Sequence, residues 1–172
     1  MAGTTVETAT RELHQQIGLS TDDRQFLTFN LGEELYGVDI LRVQEIKGYT
    51  AVTKIPNTPP HIKGVLNLRG TIVPILELRT KFGMPTIEYT PFTVIIVVVV
   101  HEKIMGLVVD AVSDVLDIDR KDIQAPPQFG ANVDVRFLNG IGKSGDKLVA
   151  LLDMDSLLSE SDLSGNQGTA AA

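Results

Sequence analysis

Short runs of alternating apolar and polar residues fill the chain from Gln25 onward. In QFLTFNL, Leu27, Phe29 and Leu31 alternate with Phe26, Thr28 and Asn30, the two-residue period of a strand with one buried face. Gly32-Glu33 then offers a turn, and Leu35, Tyr36 and Val38 resume an extended pattern, which predicts a β-hairpin. Leu41 to Ile46 (LRVQEI) continues after a kink or short turn. Val94 to Val100 (VIIVVVV) breaks the alternation with seven apolar residues, every one β-branched. Branching at Cβ suits a strand buried on both faces, and the run is far short of the ~20 residues that span a bilayer.

A second set of strands is expected from Phe92 through Ile118, followed by strands over Val135 to Ile141 and Lys147 to Leu152, with Pro126-Pro127 opening a loop. Helix signals are few and short. Asn57-Thr58-Pro59-Pro60 is placed to cap a helix from Pro60 through Lys63. Glu77 to Phe82, closed by Gly83, is a second candidate, and Met154 to Leu158 a third. Residues 1–24 are polar and read as a flexible arm, with a marginal helix over Arg11 to Leu19; the small polar residues from Ser159 read as a disordered tail. The opening residues lack a basic flank before an apolar core, so no signal peptide is expected.

The two halves resemble each other. Gly37-VDILRVQEI aligns without a gap on Gly106-LVVDAVSDV, pairing Val43 with Val112, Glu45 with Asp114 and Ile46 with Val115. About thirty residues later Arg69-Gly70 precedes TIVPILEL, and Ser144-Gly145-Asp146 precedes KLVALLDM. One residue inserted in the second turn restores the register, echoes Leu66-Asn67 in Leu138-Asn139 and places Lys143-Ser144 where the first copy has Arg69. Repetition of this kind predicts a duplicated small β-barrel.

Composition narrows the function. With 15 Lys and Arg against 22 Asp and Glu, a net charge of −7 and 5% aromatics, the chain lacks the basic clusters and stacking platforms of nucleic-acid binders. A small barrel of the oligonucleotide-binding kind is the competing reading on fold alone. Without cysteine there is no disulfide framework and no thiol chemistry, which fits a reducing cytoplasm.

The candidate chemical motifs dissolve on inspection. Gly140 to Gly145 fits G-x-G-x-x-G, but the following KLVALL alternates like a strand where a dinucleotide site needs a helix. From Asp117, the sixth and twelfth positions are Asp122 and Gln128, where a calcium loop needs Gly and Glu. His14, His61 and His101 have no metal-ligand spacing, and no G-x-S-x-G is present. No catalytic, metal or cofactor residue is expected.

Two charged residues among apolar neighbours remain, Glu45 beside Val43 and Ile46, and Arg69 at a glycine turn. They can be ordinary surface ions, paired with each other or with Asp39 or Glu77, contributing ~0–1 kcal/mol. They can equally stand at the rim of an apolar patch made for a partner, where arginine is a favoured anchor. The residues alone leave both readings open.

YGVDILRVQEIKGYTAVTKIPNTPPHIKGVLNLRGTIVPILELR resembles the CheW family of chemotaxis coupling proteins. The likeness continues through MGLVVDAVSDVLDI and APPQFG, from about Gln25 to Leu158, the span expected to form one domain. The resemblance implies an all-β fold of two intimately packed five-stranded SH3-like β-barrel subdomains with exchanged strands and a few short helices. It implies a non-catalytic adaptor that couples chemoreceptor cytoplasmic tips to the histidine kinase CheA and helps build signalling arrays, so that receptors control kinase activity. Carried onto matching positions, the receptor-facing residues are Val43, Glu45, Ile46 and Arg69, with Val94, Gly106, Val112 and Val115 in the groove between barrels. Gln128 and Phe129 are the kinase contacts. The expected protein is a cytoplasmic monomer in isolation, recruited to membrane-associated receptor arrays, with no cofactor, no nucleic-acid partner and no membrane insertion. On this reading Arg69→Glu shifts stability by ~0.5 kcal/mol or less and weakens receptor binding sharply.

Overall fold

The computed structural model describes residues 23–126 and 135–158. Its strands are β1 (Asp23–Leu31), β2 (Glu34–Asp39), β3 (Val43–Gly48), β4 (Ile62–Leu68), β5 (Thr71–Glu77), β6 (Val94–Val100), β7 (Lys103–Val109), β8 (Ala111–Asp119), β9 (Ile123–Gln124), β10 (Leu138–Ser144) and β11 (Lys147–Leu152). Two single-turn helices, α1 (Leu78–Lys81) and α2 (Met154–Leu157), follow β5 and β11. Asp153 caps α2 by accepting from the amides of Asp155 and Ser156.

Spatial order departs from chain order. One sheet runs β8-β1-β2-β11-β10-β9 and the other β3-β6-β7-β5-β4. The first hairpin of the chain, β1–β2, thus joins strands of the second half, while the second half's own first hairpin, β6–β7, joins β3, β4 and β5. This is the expected exchange of strands. The sheets have six and five strands because the two-residue β9 extends the first. Each exchange ends in a parallel pair, β2 with β11 and β5 with β7, and the other strand pairs among the described residues are antiparallel. At both parallel seams a glycine permits close approach, Gly37 opposite Leu151 and Gly106 opposite Ile75. A Cβ on Gly106 would lie 2.6 Å from the Ile75 side chain, and one on Gly37 would lie 3.0 Å from Val149.

The central core fills the space between the sheets, with Leu27, Phe29, Tyr36 and Val38 meeting Ile96, Val98, Met105 and Leu107. A smaller core lies behind each sheet, one of Val73, Ile75, Ile95, Val97 and Val108, the other of Phe26, Ile118, Val149 and Leu151. These layers explain the unbroken apolar run of β6: Ile96 and Val98 face the centre, while Ile95 and Val97 face the smaller core. The six-stranded sheet curls, so that a Cβ on Gly142 of β10 would stand 2.9 Å from Ile118 of its edge strand β8.

Three expectations need adjustment. Pro60 and His61 form a turn, and Ile62 and Lys63 already belong to β4. Pairing with β5, where Ile62 faces Leu76, prevails over the local capping pattern. Val135–Phe137 is a 3-10 turn and its strand begins at Leu138. Phe92 sits in the turn before β6, 73% exposed. Nearly all of the expected arm and the whole tail lie outside the described residues; β1 begins at Asp23. Among the described residues no helix is long and apolar enough to cross a membrane.

Candidate functional site

Arg69 and Gly70 turn β4 into β5. Both have positive φ, 51° and 89°, as the mirror-image hairpin turns require, and Asn67 Oδ1 accepts from the Gly70 amide at 2.8 Å. Left-handed backbone costs a residue with a Cβ about 1–2 kcal/mol, so Arg69 holds a conformation better suited to glycine. From this tip its guanidinium donates to both carboxylate oxygens of Glu45, Nη1 to Oε1 at 3.2 Å and Nη2 to Oε2 at 2.9 Å. Of the pairings that the residue types allow, Glu45 and Arg69 thus make the one with each other. Asp39 pairs with Arg24 at 2.8 Å, and Glu77 accepts from the Tyr89 hydroxyl.

The pair joins opposite edges. β3 and β4 are the outermost strands of the five-stranded sheet, and Arg69 immediately beyond β4 reaches Glu45 on β3. The chain leaving β3 also meets β4, through reciprocal backbone bonds between Thr53 and Val65 at 2.9 and 2.8 Å. A bulge sets the direction of Glu45. Val43 faces Val98 and Glu45 faces Val97, which leaves Gln44 as one extra residue in β3. The extra residue turns Glu45 toward the face of Val97 and the smaller core, and returns Ile46, opposite Ile96, to the central core. The Glu45 side chain is 11% exposed and that of Arg69 66%. The arginine thus lies mostly in solvent while anchored to a carboxylate mostly out of it.

The apolar candidates fall into two groups. Ile46, Val94, Val112 and Val115 are partly buried and pack on the margin of the central core. They come from β3, from the start of β6 beside it, and from β8, the edge of the other sheet. Val43 is only 2% exposed and Gly106 is buried at the β5–β7 seam. Neither presents a surface, so any effect of changing them on a partner passes through packing. Gln128 and Phe129 lie outside the described residues.

The structure sharpens the internal repeat. β4 and β10 each have seven residues, shift register near their first residue and turn through two residues into the next strand. No insertion is needed. Ile62, rather than Leu66, answers to Leu138, and Arg69 answers to Gly145, whose φ is 61°, rather than to Lys143-Ser144. Asp114, the counterpart of Glu45, is exposed. The glycines of G-x-G-x-x-G sit on β10 and its turn, as a hairpin.

Sequence reasoning missed a second ion pair that fixes the loops between the sheets. Arg79 of α1 is buried, and donates to Asp110 through Nε at 2.8 Å and Nη2 at 2.6 Å, and to the Pro85 carbonyl at 2.9 Å. Asp110 also accepts from the Gly32 amide at 2.8 Å. Burial pushes the Asp110 carboxyl up, but the Arg79 bonds, the Gly32 amide and the Arg79 charge together hold it below its ordinary value. Glu77 is held above its ordinary value, chiefly by burial, against the opposing pull of the Tyr89 hydroxyl and the Lys63 charge. Only the buried, bidentate geometry distinguishes this pair from ordinary surface charge.

Comparison with known proteins places this geometry in context. The family model described as "CheW-like domain" matches residues 25–162. The chemotaxis protein CheW of Klebsiella aerogenes is 46% identical over 143 residues, covering 83% of this chain and 86% of that protein. The probable chemotaxis protein CheW of Rhizobium etli is 36% identical over 144 residues, covering 84% and 93%. Among solved structures, the scaffolding protein TtCheW of Thermoanaerobacter tengcongensis is similar with a TM-score of 0.75 and 36% identity, over 81% of this chain and 90% of that one.

Proposed function

This chain belongs to the CheW family of chemotaxis coupling adaptors, and from that premise we propose that it joins chemoreceptor cytoplasmic tips to the histidine kinase CheA through two separate faces. The receptor face is the margin of the central core: Ile46, Val94, Val112 and Val115 supply apolar contact, while Glu45 and Arg69 set orientation. The observation that carries this reading is the backbone of Arg69. A long cationic side chain occupies a left-handed turn position where the equivalent hairpin has glycine, Gly145. Strain retained at an exposed tip is accounted for when the side chain has a task there.

Binding of both partners by one chain raises their effective local concentration, and paired charges at the rim select partner and register. The kinase face is assigned to the segment of Gln128 and Phe129. The adaptor needs no chemistry of its own in this scheme, is a monomer in isolation and gathers at receptor arrays by binding receptor tips.

Titration calorimetry of the full chain with a receptor cytoplasmic-tip fragment and with the kinase regulatory domain tests it. The wild type should bind both, and Glu45→Ala and Arg69→Glu should lose the receptor while keeping the kinase. Wild-type affinity of both variants for the receptor fragment would refute the assignment of the rim.

A further inference from the structure

We propose that Thr28 of β1 is a positioning residue for the receptor-facing rim, acting through a bulge in β8; this rests on the reading of Val112 and Val115 as rim residues given above. Val112 and Val115 are three positions apart, and a regular strand would place them on opposite faces. Here Val112 faces Phe29 and Val115 faces Leu27, both residues of the central core, because Ser113 and Asp114 together stand opposite the single residue Thr28. The extra residue is what brings both valines to the same margin.

Thr28 is fully buried, and its hydroxyl fills the break that this bulge makes in the ladder. It donates to the Asp114 carbonyl at 2.8 Å and accepts from the Asp114 amide at 3.0 Å. The repeat gives an internal comparison. The position equivalent to Thr28 in the other unit is Val97, opposite Glu45. There the bulge is tied by the Glu45–Arg69 ion pair, whereas at Asp114 the equivalent turn residue is Gly145 and supplies no cation. One unit holds its bulge with an ion pair and the other with a buried hydroxyl. Without that hydroxyl the Asp114 amide and carbonyl each lose a hydrogen bond, and β8 gains by sliding into regular pairing, which carries one valine off the margin.

The test compares Thr28→Val, which keeps the shape and removes the hydroxyl, with Thr28→Ser, which keeps the hydroxyl, in the full chain and at a temperature where each is folded. The receptor-tip fragment and the kinase regulatory domain are titrated, and hydrogen exchange at the Asp114 amide is followed. The valine variant should weaken receptor binding by about tenfold, the equivalent of one unsatisfied, partly buried group. Its kinase affinity should be unchanged and its Asp114 amide should exchange faster, while the serine variant should match wild type in all three measurements. Equal loss of both partners would reduce Thr28 to a stabilising residue and overturn the inference. Val115→Asn separates the two layers: if it weakens receptor binding and Thr28→Val does not, the positioning role fails and the rim stands. If Val115→Asn binds the receptor as wild type, the rim and this inference fall together. Should Thr28→Val not fold, Thr28→Ala replaces it, and equal receptor affinity of the alanine and serine variants refutes the role of the hydroxyl.

Discussion

Removing the Arg69 side chain separates three contributions that the turn combines. Arg69→Ala deletes both hydrogen bonds to Glu45 and leaves a residue with a Cβ at φ 51°. An exposed pair contributes ~0–1 kcal/mol, and removing one partner of a fully buried pair costs ~3–5 kcal/mol. With Arg69 66% and Glu45 11% exposed, the expected loss lies toward the lower end, about 1–2 kcal/mol. This exceeds the shift expected from the sequence alone, since Arg69 is tied to a carboxylate largely out of water. Arg69→Gly loses the same bonds but relieves a backbone strain of about 1–2 kcal/mol. Against that gain stands the greater freedom of glycine in the unfolded chain, about 0.5–1 kcal/mol. The glycine variant should therefore be about 0.5–1 kcal/mol more stable than the alanine variant. Urea unfolding with a constant m value measures both differences, and a double-mutant cycle with Glu45→Ala should give a coupling of about 1 kcal/mol. Receptor binding should be lost in both variants, despite the stability that glycine recovers. Alanine and glycine variants of equal stability would refute the strain argument, and a negligible coupling would refute the tie between the sheet edges.

Gly106→Ala should lower stability by about 1–3 kcal/mol, because its Cβ would meet Ile75 and Ile95 at 2.6 and 2.8 Å; thermal unfolding checks this, and an unchanged Tm would show that the β5–β7 seam has room. Acid titration of Tm should reveal two groups of opposite sign. Glu77 is raised in the fold, so its contribution is full below the unfolded value of about 4.3 and fades as pH rises through its folded value. Asp110 is depressed, so its contribution is full above an unfolded value of about 3.9 and fades as pH falls through its folded value. Glu77→Gln should flatten the Tm gain on mild acidification, and Asp110→Asn should remove its share of the loss at lower pH, while wild-type profiles in both variants would contradict these assignments.

Strands and turns were legible because each depends on a few adjacent residues: the alternation of β1, the apolar run of β6, the glycines at the β1–β2 and β4–β5 turns. The exchange of strands followed from family resemblance, since no local pattern states which distant strand pairs with β1. Bulges were invisible for a related reason. Gln44 and the pair Ser113-Asp114 read as ordinary alternation until their partners in β6 and β1 are known. Their effect is large, because one extra residue reverses which side chains face the core. Val43, named as receptor-facing from the resemblance alone, is buried. Glu45 and Arg69 stood out by residue type, but their pairing depends on the sheet curling until its edges meet.

The placement of β1 and β2 beside strands of the second half has a consequence for synthesis on the ribosome. The five-stranded sheet is drawn from one continuous stretch, Val43 to Val109, whereas the other sheet needs the first hairpin and the last strands together. As the chain emerges from its amino end, the first hairpin is made early and must wait, with both of its outer edges unpaired, until β8 and β11 appear. An early fold of the middle segment would meanwhile offer that hairpin half of the central core to rest against, so the order of emergence favours building the adaptor outward from its middle.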